Sequence, residues 1–278
     1  MAVELAPITR EDVPRVAAFL HAHLDDSVSA ERWARAIDLP WSDGLGFMLL
    51  DGDDVVGAQL AWRSTRTIAG RDERFCNLGS WCVLPEHRTH SLRLVRAALA
   101  DRDCNYTDLT PRPEVVAIEE RLGFHHLDTT TLLVPNLPWP GRGSVSGDPA
   151  VLARTLGGEA LQVWRDHRDA EPARHVVLRR GGAWCYVLLR MERRKGLPVA
   201  SVLHVSDPAL FAAMTRPLAR HLLLRHGAVA TLVEPRIAGS RPRPAVALRR
   251  TQPKLFRSAR LQLADADDLY SELVFQPW

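Results

Sequence analysis

The chain is short of the features that mark several protein classes. Its four cysteines form no Cys-x-x-Cys pair and no cluster with histidine at metal-ligand spacing. The sequence therefore predicts no metal site and cysteines that are reduced and buried. No apolar run reaches the roughly 20 residues that span a bilayer, and residues 1–5 lack the basic and apolar regions of a secretory signal. We therefore expect a cytoplasmic protein with no membrane span.

The chain also lacks an excess of charge of either sign. It has 36 Lys and Arg against 33 Asp and Glu, which gives a formal net charge of +3. Nucleic-acid binding needs a concentrated basic surface, so we expect no nucleic acid as a partner. Arg-Arg pairs stand at residues 179–180, 193–194 and 249–250. We interpret these isolated pairs as solvated surface rather than as phosphate recognition.

The residues that are present are those of an ordinary globular protein. The hydrophobic fraction is 46% and the charged fraction 25% of 278 residues, enough for one large domain or two modest ones. The first half predicts alternating strands and helices. Helices are predicted near residues 9–23, 29–36, 85–99 and 113–122, and strands near residues 3–6, 47–50, 55–63, 74–83, 105–109 and 124–134.

A change of composition separates the two halves. Residues 135–144 are rich in proline and glycine, which predicts a boundary. The second half repeats the order of the first more loosely. It predicts helices near 149–167 and 207–225, strands near 175–179, 183–193, 198–205 and 229–233, a loop over 236–253 and a closing strand in the tail, residues 269–278. We therefore predict domains at residues 1–137 and 138–278.

The most informative segment is residues 77–124, where a strand, a tight turn and a helix precede a second strand and helix. The turn reads Arg88-Thr89-His90-Ser91-Leu92-Arg93. This segment resembles the coenzyme-binding half of the GNAT acyltransferase superfamily, whose turn carries Arg/Gln-x-x-Gly-x-Gly/Ala. Arg88 matches that pattern, whereas Ser91 and Arg93 stand at its two small positions. The resemblance implies that acetyl-CoA or another acyl-CoA contacts the following residues: Val83, Arg88, Thr89, His90, Ser91, Leu92 and Arg93.

The same resemblance implies a fold. We expect an α/β protein with the acyl-CoA N-acyltransferase fold in two tandem copies, each a mixed, mainly antiparallel sheet flanked by helices. The second half has no comparable turn. Asp207 starts its helix at the equivalent place and repels an anion, so we expect no coenzyme there.

Candidate catalytic residues follow from the family pattern around Leu122-Gly123-Phe124. The family often has a tyrosine five residues before the phenylalanine, which protonates the departing thiolate. Glu119 stands there in this chain. A carboxylic acid serves this role only if burial raises its pKa, and an exposed helix glutamate is the plainer alternative. Tyr106, on the preceding strand, is a second candidate.

The acceptor side of the site is predicted where this fold opens its sheet. The resemblance places the acyl group there, and Trp81, Asp108 and Thr110 are the candidate substrate-contacting residues. Asp108 either captures an amine cation or forms a turn before Pro111. The tail residues Tyr270-Ser271-Glu272-Leu273 resemble the tail of uncharacterised bacterial GNAT-like proteins.

Two functions are predicted from these residues. The first is an acyl-CoA-dependent N-acyltransferase that acts on a small amine, amino acid or amino sugar. The alternative is a non-catalytic GNAT-like module that binds or scaffolds and has lost acyl transfer. A transferase with an aminoacyl-tRNA donor fits less well because the net charge is close to neutral. The sequence leaves a homodimer open.

Overall fold

The computed structural model describes residues 3–249 and 251–276 of the chain. These residues divide into two compact units. Unit 1 comprises residues 1–127, 253–266 and 270–278, and unit 2 comprises residues 128–252 and 267–269. The boundaries of these two units differ from the domain boundary that the sequence predicts after residue 137. The reason is that the chain returns to unit 1 after residue 252 and adds a strand to its sheet.

The described residues form fourteen strands. In chain order these are β1 Glu4–Pro7, β2 Gly46–Asp51, β3 Asp54–Ile68, β4 Arg71–Val83, β5 Asn105–Asp108, β6 His125–His126, β7 Leu132–Pro135, β8 Ser144–Ser146, β9 Ala173–Arg180, β10 Ala183–Arg194, β11 Leu197–Val205, β12 Ala230–Val233, β13 Val246–Ala247 and β14 Leu255–Arg257.

The same residues form ten α-helices and three short 3-10 helices. The α-helices are α1 Val13–His23, α2 Ala30–Ile37, α3 Ser91–Ala98, α4 Pro113–Arg121, α5 Pro149–Thr155, α6 Gly158–His167, α7 Pro208–Ala213, α8 Thr215–His226, α9 Pro235–Ala238 and α10 Glu272–Phe275. The 3-10 helices are Arg10–Asp12, Pro85–His90 and Leu263–Asp265.

Unit 1 is built on one seven-stranded sheet in the order β1-β2-β3-β4-β5-β14-β6. Its pairs are antiparallel except β4 and β5, which run parallel. The parallel pairing covers only Phe75↔Asn105 to Asn77↔Thr107, although β4 continues to Val83. The two central strands therefore stop pairing after Asn77, and the candidate site lies at this end.

The core of unit 1 lies against both central strands. Buried apolar side chains of β4, β5, α3 and β14 form one cluster, which includes Cys76, Leu78, Val95, Tyr106 and Leu255. Local signals agree with this packing. The Ser29 hydroxyl accepts a hydrogen bond from the Arg32 N–H and caps α2. Helix α4 is followed by Gly123 at φ 88°, a conformation that glycine adopts without strain.

Unit 2 is built on a second seven-stranded sheet, in the order β13-β7-β12-β11-β10-β9-β8. Its single parallel pair is β11 with β12. A large buried apolar cluster joins this sheet to α7 and α8. The Asp207 carboxylate accepts a hydrogen bond from the Leu210 N–H at 2.9 Å and caps α7, as the sequence predicts. Both units are mixed sheets with flanking helices, which confirms the predicted fold class.

Five predicted segments differ in detail. The loop predicted over 236–253 includes most of α9 and the short strand β13. The strand predicted over residues 124–134 is two short strands, β6 and β7. The helix predicted over 149–167 is divided because Leu156 and Gly157 have extended backbone between α5 and α6. The helix predicted over 207–225 is divided at Met214 into α7 and α8. The tail forms the short helix α10 instead of a strand, and residues 277 and 278 lie outside the described residues.

Neither a membrane-spanning helix nor a metal-binding cluster is found in the part of the chain that the structure describes. None of the helices formed by residues 3–249 and 251–276 is long and apolar enough to cross a membrane. Within the same ranges, no group of three or more His, Cys, Asp or Glu side chains is arranged to hold a metal ion.

Candidate functional site

Three carboxyl groups converge where β4 and β5 stop pairing. Asp108 is the last residue of β5, Glu119 lies on α4, and Glu272 is the first residue of α10. Their exposed fractions are 7%, 3% and 0%. Among the described residues, no cationic side chain forms an ion pair with any of the three. Buried carboxyls without a cation are uncommon, and they mark this end of the sheet as the candidate site.

Helix α4 carries Glu119 into the interior near its C-terminal end. The Glu119 carbonyl oxygen accepts hydrogen bonds from the N–H groups of Leu122, at 2.9 Å, and Phe124, at 3.0 Å. This turn closes over Gly123 and returns the chain toward the core, where Phe124 is buried. The plainer alternative for Glu119, an exposed helix glutamate, is therefore wrong.

Burial dominates the electrostatics of the three carboxyls. It raises the pKa of Glu119 to about 7 and the pKa of Glu272 to about 8, and it raises the pKa of Asp108 well above its usual range. The acids also raise one another's pKa by repulsion between their charges: Glu119 acts on Asp108, and Glu272 acts on Glu119. The side chains of Asp108 and Glu119 are hydrogen-bonded, and this bond favours a protonated Asp108 that donates to Glu119.

Glu272 is hydrogen-bonded to residues of both central strands. Its Oε1 accepts from the Leu109 N–H at 2.8 Å and from the Thr110 hydroxyl at 3.1 Å, just after β5. Its own N–H donates to Asn77 Oδ1 on β4 at 2.9 Å. The amide of Asn77 donates in turn to the Thr107 hydroxyl at 3.0 Å. The tail segment is therefore bonded to the ends of β4 and β5.

Four buried acceptor oxygens in this region have no hydrogen-bond partner in the described chain: Glu119 Oε2, Glu272 Oε2, Gln59 Oε1 and Gln276 Oε1. The amide nitrogen of Gln59 donates to the Gly79 carbonyl at 3.1 Å, and that of Gln276 donates to the Ser80 hydroxyl at 2.5 Å. A buried polar atom without a partner costs roughly 1–3 kcal/mol. The unbonded oxygens therefore suit water or a ligand that brings hydrogen-bond donors.

Of the predicted substrate residues, Asp108 and Thr110 lie at this site. The Thr110 N–H donates to Asp108 Oδ1 at 3.2 Å, which is the turn that the sequence allows before Pro111. Capture of an amine by Asp108 stays a prediction. Trp81 is half-buried and packs on two apolar clusters, one with Val95 and one with Leu94.

Tyr106, the second catalytic candidate, points to the other end of β5. Its hydroxyl donates to the carbonyl oxygen of Asp101 at 2.7 Å, and Asp101 precedes the strand. Burial raises the pKa of Tyr106 far above its ordinary value. The structure therefore does not bring this hydroxyl together with the three carboxyls.

The predicted coenzyme turn is the 3-10 helix Pro85–His90 followed by α3. The His87 N–H donates to the Leu84 carbonyl at 3.0 Å, and the Ser91 N–H donates to the Arg88 carbonyl. These two backbone donors are therefore used inside the turn. The Arg93 guanidinium donates to the carbonyl oxygen of Val3 at 2.8 Å.

Other residues of the turn remain accessible. Arg88 and Thr89 are exposed, His90 and Ser91 are half-buried, and Leu92 is 45% exposed. Val83 packs in an apolar cluster with Leu49 and Leu94. The donors that fit a phosphate are the Arg88 guanidinium and the Thr89 and Ser91 hydroxyls at the start of α3.

Sequence reasoning missed Glu272, Asn77 and Gln276 as parts of this site. Glu272 bonds to Leu109 across 163 positions and to Asn77 across 195, so neither periodicity nor spacing relates them. The one signal was the resemblance of the tail at Tyr270–Leu273, which names a segment but gives no role.

Comparison with known proteins identifies the fold. No protein-family model matches the chain, and no curated protein matches it. Among solved structures, it is similar to a GCN5-related N-acetyltransferase from Anabaena variabilis, at a TM-score of 0.60 and 12% identity over 92% of this chain and 72% of that one.

Two other solved structures give the same result. A GCN5-related N-acetyltransferase from Kribbella flavida matches at a TM-score of 0.59 and 17% identity, over 92% of this chain and 71% of that one. A conserved Enterococcus faecalis protein described as a probable N-acyltransferase matches at a TM-score of 0.61 and 11% identity, over 95% of this chain and 74% of that one. The chain therefore has the fold of the GCN5-related N-acetyltransferases.

Proposed function

We propose that this chain is an acyl-CoA-dependent N-acyltransferase whose acceptor is a small amine, amino acid or amino sugar. The observation that carries the proposal is the buried Asp108–Glu119 pair at the end where β4 and β5 stop pairing. Glu119 has a pKa of about 7 there, which lies in the range where a carboxyl can both give and accept a proton near neutral pH. The fold shared with N-acetyltransferases supports the proposal but says nothing about the acceptor.

The residues that would hold the coenzyme lie at the start of α3. Arg88 would pair with a phosphate, and the Thr89 and Ser91 hydroxyls would donate to it. Arg93 uses one guanidinium N–H for the Val3 carbonyl oxygen, and its other N–H groups would add to the phosphate contacts. When bound, an acyl-CoA supplies a thioester whose carbonyl carbon forms a C–N bond with the amine as its C–S bond breaks.

Glu119 is assigned the proton transfer. In its protonated form, it gives a proton to the sulfur that leaves, which is the role that the sequence predicts for this position. The proton that the amine nitrogen loses returns to the carboxyl, so the site ends the reaction with the protons it had at the start. Asp108 acts on Glu119 through their hydrogen bond, which favours the ionised form of Glu119 as proton acceptor.

Calorimetric titration with acetyl-CoA and free coenzyme A, together with a thiol-release assay over a panel of amines, tests the proposal. Arg88→Ala should weaken coenzyme binding at least about tenfold, since a charge-assisted bond to phosphate contributes roughly 1.5–3 kcal/mol. Arg96→Ala, an exposed arginine of α3, is the matched control and should leave affinity unchanged. Absence of both binding heat and thiol release with every acyl-CoA would refute the proposal.

A second candidate function is a non-catalytic module with the same fold. The observation that favours it is the closed turn, in which the His87 and Ser91 N–H groups bond within the chain. A module that has lost the chemistry binds coenzyme A without releasing thiol from any acyl-CoA. The two assays therefore separate the two functions.

A further inference from the structure

Glu272 is held in one position by hydrogen bonds to its side chain and to its backbone. Its Oε1 accepts from Leu109 and Thr110, at 2.8 and 3.1 Å, and its N–H donates to Asn77 at 2.9 Å. A carboxyl fixed in this way keeps its second oxygen in a constant place relative to its neighbours. That oxygen, Oε2, is buried and has no hydrogen-bond partner in the described chain.

The rest of the tail supports this position. Gln276, four residues after Glu272, donates from its amide to the Ser80 hydroxyl on β4 at 2.5 Å. The rings of Tyr270 and Phe275 pack on Trp41, with centroids 4.9 and 5.1 Å away. Contacts on both sides of Glu272 therefore restrict its movement, so its charge acts from a fixed point.

Two titratable groups face Glu272 from the elements packed around it. They are Asp108 at the end of β5 and Glu119 on α4. Among the described residues, no Lys, Arg or His side chain pairs with any of these three acids to neutralise them. Like charges in a poorly solvated interior repel strongly, so ionisation of one acid opposes ionisation of the others.

We propose that Glu272 is a positioning residue of the transfer site, which acts through the Asp108–Glu119 pair by setting how many protons that pair holds. The inference rests on the proposed function, because that pair is the one assigned the proton transfer. Its support is geometric: a fixed carboxyl beside two others, with no compensating cation in the described chain. The raised pKa values of all three carboxyls agree with it.

The consequence for the reaction is that the Asp108–Glu119 pair keeps a proton at neutral pH. An unperturbed glutamate has a pKa near 4.3, so it is almost fully ionised at neutral pH and cannot act as an acid. With Glu272 in place, the pair retains a proton that can pass to the departing sulfur. The proton lost by the amine refills the same group, so one turnover leaves the number of protons on the three carboxyls unchanged.

The test is a carbon-13 NMR titration of side-chain carboxyls in the full chain without any substrate. Wild type is compared with Glu272→Gln, which keeps the shape of the side chain and removes its charge. The upper titration step of the Asp108–Glu119 pair, in which the pair loses its last proton, should fall by about one pH unit or more in this variant. Glu120→Gln is the matched control, because Glu120 is the exposed neighbour of Glu119 on α4 and should leave this step in place. An unchanged upper step in Glu272→Gln overturns the proposal.

A second measurement covers the case in which Glu272→Gln does not fold. In wild type, coupled acids titrate in two steps that appear in the curves of both residues. Independent single-step curves for Glu119 and Glu272 overturn the proposal. Both titrations are read without an acyl donor, so they decide the role of Glu272 whether or not acyl transfer is detected. Where transfer is measured, the limb of its pH profile that reports loss of the pair's last proton should move with the upper NMR step.

Discussion

Replacing Glu119 by glutamine should remove the part of the pH dependence of unit 1 stability that comes from this carboxyl. The folded pKa of Glu119 is about 7, against an ordinary value of 4.5. A raised folded pKa means that the folded state holds its proton more tightly than the unfolded state. The resulting stability is fully present below about pH 4.5 and is lost as the pH rises through 7.

The magnitude follows from the size of the shift. One pKa unit corresponds to about 1.4 kcal/mol, so the shift of Glu119 corresponds to about 3 kcal/mol of unfolding free energy between pH 4 and pH 8. Glutamine has no proton to lose. The free energy of wild type minus that of Glu119→Gln should therefore fall by about 3 kcal/mol over this range.

Hydrogen exchange of β4 and β5 amides is the suitable assay, because two compact units need not unfold together. Wild type and variant share the same intrinsic exchange rates away from the substituted residue, so their difference in protection reports stability directly. Glu120→Gln should show no such trend. A difference between wild type and Glu119→Gln that stays constant from pH 4 to pH 8 would refute the assignment of Glu119 as a buried acid of raised pKa.

Two further predictions concern other buried polar groups. Asn77→Ala removes the acceptor of the Glu272 N–H and the donor to Thr107, and it should cost unit 1 about 2 kcal/mol, measured as loss of protection in β4. In unit 2, burial lowers the pKa of His175 to about 4, and its ring bonds to the Tyr186 hydroxyl and the His167 carbonyl. A lowered histidine pKa gives stability that is present above pH 6.5 and is lost as the pH falls toward 4. The β9 amides of wild type should therefore lose protection from hydrogen exchange as the pH falls over this range. His175→Asn should remove most of this pH dependence. A β9 protection that does not depend on pH in wild type would contradict this assignment.

Local signals in the sequence predict most of the secondary structure. The Asp51-Gly52-Asp53-Asp54 turn predicts the hairpin between β2 and β3. Cap residues such as Ser29 and Asp207 predict where α2 and α7 begin. These features depend on contacts within a few residues, which is why sequence patterns report them.

The composition of the site could be predicted only in part. The strand-to-helix segment brings Asp108, Thr110 and Glu119 close together in sequence, and all three lie at the site. The burial of Glu119 is a tertiary property, since it depends on how α4 closes over Gly123 and on the distant tail. Glu272 is joined to β5 across 163 positions, and no local pattern encodes such a contact.

The insertion of β14 between β5 and β6 has a consequence for biosynthesis. The strands on either side of it are made more than a hundred residues earlier, yet they do not pair with each other. During translation, the edges of β5 and β6 that pair with β14 stay unpaired until residues 255–257 leave the ribosome. Unpaired strand edges promote incorrect strand pairing. A truncated chain that ends at residue 137 retains those open edges and lacks Glu272, so a fragment chosen from the apparent repeat should aggregate where the full chain folds.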